Sequence, residues 1–308
     1  MNPHEDLDHV SAVISAWNRR EDLRENLESI SVQTHPFAEI IVVDNYSTDG
    51  TVEMVKREFP DVRLIEMPDS TRGACETFNI GFKAARHALI LILDDDVKVP
   101  PDWLERAVKK LKAEPPTTAM ISATVVEPGM PEEYRSDPEV NAERYTATFR
   151  GCATLVKRDV LERAGYYDER FFIYGNERDL AARILGLGYR IKIVPELEVF
   201  HKTPFGMKAG PRSLYYHVRN LWWYLVKNCS VRDICRFFLF HLGLTGRKRR
   251  GKHLKDSVGI IGLKKTLVST RWGWWIFLRA TGAAVLGLPY ALKHRKVCRA
   301  EDFHPPIY

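Results

Sequence analysis

Apolar residues recur in short runs through the first hundred positions, and segments with helical spacing separate these runs. Runs of this length, bounded by polar residues, are typical of strands that are buried on both faces. The four runs cover residues 10–16, 39–43, 62–67 and 88–93. The intervening helical segments cover residues 21–32, 51–59 and 72–86. Strands that alternate with helices predict an α/β fold, with a mostly parallel sheet and helices on both faces.

The pattern continues less regularly up to residue 201. It predicts helices over residues 102–113, 157–164 and 180–187, strands over residues 146–156 and 189–194, and further segments at residues 119–126, which is apolar, and 198–201. Residues 127–143 are acidic, contain prolines and show no period, which indicates a mobile surface loop. We therefore expect one domain at residues 1–210 and a C-terminal helical region at residues 211–308.

The run at residues 88–93 ends in three consecutive aspartates, Asp94, Asp95 and Asp96. Three adjacent carboxylates repel one another unless a cation lies between them. Open α/β sheets bind ligands at the carboxyl ends of their strands, which is where this triplet falls. Carboxylate oxygens suit Mg²⁺ or Mn²⁺, and both ions commonly reach a protein together with a phosphate. The triplet predicts a divalent metal site, with a solvated acidic turn as the alternative.

Aromatic residues, glycines and carboxylates are mixed over residues 165–180, directly before a predicted helix. Charged groups among aromatic rings at a helix start are typical of a substrate site. A capped helix start has the same composition and is the alternative. No G-x-G-x-x-G follows the first predicted strand, which argues against a nicotinamide-dependent dehydrogenase.

The chain of 308 residues carries a net charge of +6, and its two parts differ in sign. Residues 201–308 hold 21 Lys and Arg against 4 Asp and Glu, a net charge of +17, which leaves −11 for residues 1–200. The two parts are therefore expected to meet different partners. Five scattered cysteines without a C-x-x-C pair indicate reduced thiols in a cytosolic compartment. The acidic, polar first ten residues do not predict a cleaved secretory signal.

The C-terminal part combines apolar helical stripes with basic clusters at residues 247–255 and with five of the seven tryptophans. Residues 272–292 approach the length of a bilayer span, but Arg279 near the middle and Pro289 near the end argue against one. We interpret this part as amphipathic helices on an anionic membrane surface. A helical cap on the first domain is the alternative. Nucleic-acid binding is not expected, because no reader motif is present.

Six segments follow one another in a characteristic order. They are VISAWNRRED, IIVVDNYSTDGT, TRGACETFNIGFKAAR, LILILDDDVKV, FFIYGNERDLAARILGLGYRI and VPELEVFHK. In this order they resemble the inverting nucleotide-sugar glycosyltransferases of family 2, which have the GT-A fold. The resemblance covers residues 10–202, about two thirds of the chain. The rhamnosyl- and galactofuranosyltransferases of that family have this layout.

The resemblance implies a metal ion, Mn²⁺ or Mg²⁺, on the diphosphate of the donor. Asp94 and Asp96 match the family's D-x-D pair, and His201 is similar to the histidine that completes the ligand set. A strand-end histidine bonded to the backbone is the alternative for His201.

The resemblance also implies a set of donor-binding residues. Asn18 and Asp44 would hold the nucleoside, Arg72 would lie beside the nucleotide, and Asp95 near the ribose, with Asp94 shared between donor and metal. A turn former at Asp44 and a solvated helix start at Arg72 are the alternatives.

Glu177 falls where the family usually has the aspartate of a Glu-Asp pair, which is the catalytic base. The pair here is Asn176-Glu177, so the carboxylate is one methylene longer. Asp179 is the second candidate for the base. A carboxylate that takes the proton from an attacking hydroxyl typically contributes about 10²–10⁴-fold to the rate.

The Q-x-x-R-W signature of processive synthases is missing, because Val268 stands where the glutamine would precede Arg271-Trp272. We therefore expect one sugar to be added at a time, to a saccharide or lipid-linked acceptor in cell-surface polysaccharide or glycolipid assembly. The expected location is peripheral, on the cytoplasmic face of the membrane. Two alternatives are a nucleotide-binding scaffold of the same fold without turnover and a sugar nucleotidyltransferase.

Overall fold

The computed structural model describes residues 7–137, 140, 142–241 and 263–305. Its strands are β1 (Val10–Ala16), β2 (Glu39–Asp44), β3 (Arg63–Glu66), β4 (Leu89–Asp94), β5 (Val97–Lys98), β6 (Thr118–Val126), β7 (Arg144–Tyr145), β8 (Ala153–Lys157) and β9 (Arg190–His201). Its helices are α1 (Arg20–Ser31), α2 (Thr51–Glu58), α3 (Ala74–Ala84), α4 (Trp103–Ala113), α5 (Glu132–Arg135), α6 (Arg158–Arg163), α7 (Asn176–Gly186), α8 (Pro211–Asn228), α9 (Val231–His241), α10 (Leu263–Ser269), α11 (Gly273–Leu286) and α12 (Leu288–Lys293). The basic cluster at residues 247–255 and most of the polar N-terminus lie outside the described residues.

The strands of the described residues join one mixed sheet in the order β3-β2-β1-β4-β8-β6-β9-β5, with β7 paired to β9. The first four strands of this order are parallel, as the alternating pattern predicts. β8 runs antiparallel between β4 and β6, and β6 is parallel to β9. Two separate apolar clusters cover the two faces of the sheet. The predicted α/β class, with helices on both faces and helices at the C-terminal end, is confirmed.

Strand β4 shows why its sequence is apolar without interruption. Ile90 and Ile92 belong to one apolar cluster, and Leu89, Leu91 and Leu93 belong to the other. Successive side chains of a strand point to opposite faces, so a strand covered on both sides needs apolar residues at every position. The strand runs parallel to β1 and ends at the sheet edge where the aspartate triplet begins.

Three predictions for the second half differ from the structure. The strand predicted over residues 146–156 is confined to β8, because the chain turns at Gly151 and Cys152 directly before Ala153. The strand predicted over residues 189–194 and the segment at residues 198–201 form one strand, β9, whose pairing with β6 continues through a register shift. The helix predicted from Leu180 starts at Asn176, after Gly175 in a left-handed conformation.

The segment predicted as a mobile loop contains the short helix α5. Tyr134 in this helix is buried, and its ring centroid lies 4.9 Å from that of Phe205. A single aromatic residue in a polar, aperiodic stretch has no pattern that predicts this anchoring. The segment contributes Glu127, Met130 and Tyr134 to the lining of a cavity at the carboxyl ends of β1 and β4.

The C-terminal helices pack on the sheet domain through helix α8. The predicted apolar stripe of α8 is buried at Leu214, Val218 and Leu225. Lys227 at the end of α8 is 3% exposed and forms an ion pair of 2.9 Å with Asp179. This packing agrees with the helical cap that the sequence leaves open as an alternative. Among the described helices, none combines the length and apolar character that crossing a bilayer requires.

Candidate active site

A cavity of about 410 Å³ lies at the carboxyl ends of β1 and β4. One wall carries the aspartate triplet, and a second comes from residues 148–152 before β8. The loop at residues 203–208 and helix α8 close the remaining sides, and α8 contributes His217, Asn220 and Tyr224. The C-terminal helical region therefore completes the cavity of the sheet domain.

Asp94, Asp96 and His201 meet in this cavity, and their ligand atoms lie within 4.8 Å of one another. His201 Nε2 is 3.1 Å from Asp96 Oδ1 and 3.9 Å from Asp94 Oδ2. Two carboxylates and an imidazole are a donor set that divalent cations such as Mn²⁺ accept. The three residues predicted as metal ligands are thus brought together, and their chemistry fits a divalent ion.

Glu127 orients the histidine of this group. His201 Nδ1 donates a hydrogen bond to Glu127 Oε1 at 2.8 Å, so Nε2 is the nitrogen that faces the aspartates. A carboxylate in this position fixes the orientation and tautomer of a metal-binding histidine. Burial alone would lower the pKa of His201, but its bonds to Asp96 and Glu127 and the charges of Asp94 and Asp96 raise it to about 10.

Arg19 and Thr203 hold the outer oxygen of Asp96. The Arg19 guanidinium donates to Asp96 Oδ2, and Thr203 Oγ1 donates to the same oxygen at 2.8 Å. Burial opposes ionisation of Asp96, but the bonds and charges of His201 and Arg19 outweigh it and place the pKa of Asp96 far below its usual value. Asp96 is therefore fixed as an anion, and its Oδ1 faces His201 Nε2.

The other two aspartates of the triplet experience the opposite effect. Burial raises the pKa of Asp94 to about 6, in spite of the attraction of His201. Burial also raises the pKa of Asp95 well above its usual value, although Arg19 Nε lies 3.9 Å from its carboxylate. The cavity thus accumulates carboxylates that a bound cation would stabilise in their ionised form.

The predicted nucleoside-binding residues lie beside the cavity, at the ends of β1 and β2. Asp44 is 1% exposed, and its Oδ2 accepts from the Ser47 backbone at 2.9 Å, while its Oδ1 has no partner among the described residues. A buried carboxylate oxygen without a donor is costly unless a ligand supplies one. Burial raises the pKa of Asp44 accordingly.

Asn18 and Arg72 make protein contacts in the same area. Asn18 Oδ1 accepts from the Thr48 backbone at 2.7 Å, so this side chain holds the loop after β2. Arg72 pairs with Glu76 at 3.0 Å and stays half-buried. Neither residue is among those that line the cavity.

Glu177 lies in the first turn of α7 and lines the same cavity as the metal-binding group. Gly151 packs directly against it, because a Cβ at position 151 would come within 2.7 Å of Glu177 Oε1. Removal from water raises the pKa of Glu177 to about 7, and the negative charge of Asp94 adds to the effect. This carboxylate can accept a proton close to neutral pH.

Asp179 lies two residues after Glu177 on α7, and its carboxylate pairs with other groups. It is fully buried, with Arg183 Nε at 3.0 Å, Lys227 Nζ at 2.9 Å and Asn228 Nδ2 at 3.0 Å. These cations and hydrogen bonds outweigh burial and lower the pKa of Asp179. It does not line the cavity, and it fastens α8 to α7.

The loop before Glu177 has an unusual backbone. Phe172, Tyr174 and Gly175 all have positive φ, at 67°, 66° and 74°. The Ile173 backbone N–H donates to Phe171 O at 2.8 Å, which makes a tight three-residue turn at Phe172. For the non-glycine residues Phe172 and Tyr174 such conformations cost about 1–3 kcal/mol each, and they persist where the surroundings impose them.

Asn220 of α8 supplies those surroundings. It is 1% exposed, and its Nδ2 lies 2.9, 2.8 and 2.7 Å from the carbonyl oxygens of Phe171, Ile173 and Tyr174. Arg219 Nη2 donates to the Phe171 carbonyl at 2.9 Å. One amide and one guanidinium from the C-terminal helix thus hold the loop that leads to Glu177.

Sequence reasoning missed Arg19, Glu127 and Asn220 as parts of the site. Arg19 follows Asn18 directly, so the motif itself contained the signal. Glu127 begins an acidic, aperiodic stretch, and Asn220 is one polar residue in an apolar helix stripe. The sequence around Glu127 and around Asn220 does not indicate a site residue, because only the fold brings these two side chains to the cavity.

Comparison with known protein families gives one broad match. The profile of glycosyl transferase family 2 matches residues 11–175, more than half of the chain. This stretch includes Asp44 and the aspartate triplet, and it ends just before Glu177.

Curated relatives are similar at moderate identity. Glycosyltransferase AglE of Haloferax volcanii is 27% identical over 215 residues, which are 65% of this chain and 69% of that protein. The N-acetylglucosaminyl-diphospho-decaprenol L-rhamnosyltransferase of Mycobacterium tuberculosis is 24% identical over 254 residues, which are 67% of this chain and 80% of that protein. Succinoglycan biosynthesis protein ExoO of Rhizobium meliloti is 34% identical over 129 residues, but this match covers only 37% of that protein.

Among solved structures, the mannosyltransferase PcManGT from Pyrobaculum calidifontis, in complex with GDP-Man and Mn²⁺, has a similar fold. The TM-score is 0.56 at 24% identity, and the superposition covers 93% of this chain and 83% of that one. The shared architecture thus extends beyond residue 175 into the C-terminal helices.

Proposed function

The chain belongs to glycosyl transferase family 2, and from that premise we propose that it transfers one sugar from a nucleoside-diphosphate sugar to an acceptor hydroxyl, with inversion at the anomeric carbon. One observation carries this proposal above the others. Asp94, Asp96 and His201 share a cavity with Glu177, so the site has a cation-binding side and a basic side. Inversion needs both, because the leaving group and the attacking hydroxyl lie on opposite faces of the sugar.

The proposal assigns a divalent ion, Mn²⁺ or Mg²⁺, to Asp94, Asp96 and His201. When bound, such an ion neutralises the negative charge that develops on the departing diphosphate. Glu127, Arg19 and Thr203 keep the ligands in place through the hydrogen bonds described above.

Donor binding is assigned to the ends of β1, β2 and β4. The unpartnered Asp44 Oδ1 supports a role in accepting a hydrogen bond from the base or ribose. Asp95 is placed near the ribose, and Arg72 beside the nucleotide. The hydrogen bond of Asn18 to the Thr48 backbone favours a role in holding the loop after β2, where the nucleoside would bind.

Glu177 is the proposed base, and it takes the proton from the acceptor hydroxyl as that hydroxyl attacks. Its place in the cavity and its pKa of about 7 favour it over Asp179, which is buried between two cations. A base whose pKa lies near the working pH combines the correct protonation state with sufficient proton affinity.

The proposed acceptor is a lipid-linked saccharide in cell-surface polysaccharide or glycolipid assembly, and the proposed location is the cytoplasmic face of a membrane. The mycobacterial relative is by name a rhamnosyltransferase that acts on a diphospho-decaprenol-linked sugar. The apolar and basic C-terminal helices give this chain a surface suited to a lipid environment.

A donor panel tests the proposal. UDP-, dTDP- and GDP-sugars are offered with Mn²⁺ or Mg²⁺ and with chelator, and the products are identified by mass spectrometry. We expect one donor to yield a nucleoside diphosphate and a free or transferred sugar only when the metal is present. Release of inorganic pyrophosphate would indicate a sugar nucleotidyltransferase, and donor binding without turnover would indicate a scaffold.

A further inference from the structure

Helix α11 presents apolar side chains on the face that is directed away from the protein. Trp274 and Trp275 are each 65% exposed, and Leu278, Val285 and Leu286 on the same helical face are also exposed. Its opposite face carries the small residues Gly273, Ala280 and Ala284, which are buried. We call the five exposed residues Trp274, Trp275, Leu278, Val285 and Leu286 the docking face. A helix that buries alanine and exposes tryptophan has the reverse of the usual distribution, and such surfaces mark interaction sites.

The charges around the docking face have one sign. The sequence from Leu263 to Ala300 contains eight Lys and Arg and no Asp or Glu. Lys264 and Lys265 on α10 and Arg271 before α11 are exposed at one end of the face, and Lys293 on α12 is exposed at the other. An apolar strip with cationic ends matches the acyl boundary and the anionic headgroups of a bilayer, and tryptophan favours that interface.

The underside of α11 connects this face to the cavity. Ala280, Ile276 and Phe277 pack in a small cluster with Leu214 and Val218 of α8, and Met207 joins that cluster. Met207 also lines the cavity that holds Glu177 and the aspartates. The docking face therefore lies on the outer side of a helix whose inner side packs on two parts of the cavity lining, α8 and the loop with Met207.

We propose that the docking face lies in the interfacial layer of an anionic bilayer and positions the cavity beside the membrane surface. This inference deepens the proposed function and rests on it for the lipid-linked acceptor, whose saccharide would reach the cavity past the loop that contains Met207. Vesicle binding itself does not require turnover.

Flotation with lipid vesicles tests the docking face. Full-length protein is mixed with vesicles of phosphatidylcholine alone or with 30% phosphatidylglycerol, and the bound fraction is measured at low and high salt. We expect binding to the anionic vesicles. The double variant Trp274→Ser/Trp275→Ser is expected to bind at least about tenfold more weakly, because the apolar area that enters the interface is lost.

The charge contribution has a matched control. Lys264→Gln/Lys265→Gln is expected to weaken binding to anionic vesicles by about 20- to 30-fold at low salt, since each cation near such a surface contributes about fivefold. Lys56→Gln/Arg57→Gln removes two exposed cations from α2, outside the C-terminal region, and is expected to bind like the unmodified protein.

Two outcomes would overturn the docking face. One is vesicle binding that the tryptophan variant retains in full. The other is that the unmodified protein forms a dimer and does not bind vesicles, whereas the tryptophan variant is a monomer. The docking face would then contact a second copy of the chain. Donor turnover, measured without lipid, is expected to be unchanged in the tryptophan variant. If neither the unmodified protein nor the variants turn over any donor, but the unmodified protein binds anionic vesicles, the proposed function is rejected and the docking face is still supported.

Discussion

At Glu177 the surroundings oppose ionisation of a carboxylate that would be charged in water at neutral pH. The cavity removes it from solvent and Asp94 adds negative charge, and these effects outweigh its own backbone N–H, the charge of Arg178 and the Asn176 side chain, which favour the anion. Both effects that raise the pKa depend on residues that are distant in sequence. The pKa of about 7 is therefore a property of the assembled cavity.

Replacing Glu177 with glutamine removes the proposed base and keeps the shape of the side chain. We expect kcat to fall by about 10²–10⁴-fold, while the dissociation constant of the donor, measured by calorimetry, changes less than twofold. Glu162→Gln, at an exposed position on α6, is the control and should retain full activity. A Glu177→Gln variant with normal turnover would exclude this residue as the base.

The pKa of Glu177 also predicts the acid limb of the pH profile. The base must be deprotonated to act, and its pKa is raised to about 7. Below that pH, kcat/KM should fall about tenfold per pH unit, and above it the profile should level off. A limb centred near the ordinary glutamate pKa of about 4.3 would contradict the assignment.

Glu127→Gln tests the group that orients His201. Loss of the Nδ1–carboxylate bond of 2.8 Å frees the imidazole to rotate and change tautomer. We expect Mn²⁺ affinity, measured by calorimetry or paramagnetic broadening, to fall about 10–100-fold. Glu133→Gln, exposed on α5, should leave it unchanged. Equal affinity in both variants would assign Glu127 a purely structural role.

Sequence patterns identify some individual residues of the candidate site and not others. The aspartate triplet could be found because three carboxylates at the end of a buried strand are conspicuous. His201 lies more than a hundred residues later and was found only through the resemblance of VPELEVFHK. Glu127 could not be found, because its role depends on how β6 and β9 place it beside the histidine.

Among the elements, the loop between Phe171 and Asn176 and helix α8 act as a pair. The loop holds three residues at positive φ, and Asn220 contacts three of its carbonyl oxygens. A left-handed or tightly turned backbone tends to relax when such bonds are removed. The orientation of Glu177 therefore depends on a helix that follows the family-matched segment.

Asn220→Ala is expected to lower kcat by at least about tenfold while donor affinity is retained, because the loop relaxes and the base moves. Asn228→Ala is the matched control, since Asn228 is also buried on α8 but donates to Asp179 and not to the loop. Steady-state kinetics and thermal unfolding separate the two effects. If both variants lose similar stability and similar activity, Asn220 has no special positioning role.

The predicted helices and strands agree with the structure where the hydrophobic period alone determines the element. β1 to β4 and the helices between them agree with their patterns within a few residues, because each strand has two covered faces. The direction of β8 could not be predicted, since an apolar run is the same for a parallel and an antiparallel neighbour. The continuity of β9 was also hidden, because Pro195 and Glu196 interrupt its apolar pattern.

Across the whole molecule, ion pairs link residues 1–200 to the C-terminal part of the chain. Lys227 of α8 lies between Asp168 and Asp179, and Asp168 also accepts from the Tyr290 hydroxyl. Arg190 at the start of β9 binds Asp302 through two bonds of 2.6 and 2.9 Å. The charge asymmetry of the sequence predicted different partners, and part of it serves contacts within the chain.

Lys227→Met should destabilise the molecule strongly. It leaves two buried carboxylates without their shared cation, a change that typically costs about 3–5 kcal/mol in the free energy of unfolding. Urea denaturation of Lys227→Met and of the exposed control Lys109→Met measures the difference. A loss below about 1 kcal/mol would show that the two parts are joined mainly by apolar packing.

Gly151 lies against Glu177 in the lining of the cavity. The space that its missing side chain leaves is occupied by the carboxylate of Glu177, whose Oε1 would lie 2.7 Å from any Cβ there. The longer acid at position 177 and the bare backbone at position 151 therefore form a matched pair of sizes. An alanine at position 151 would displace the acid that is proposed to take the proton, so we expect these two positions to tolerate change only together.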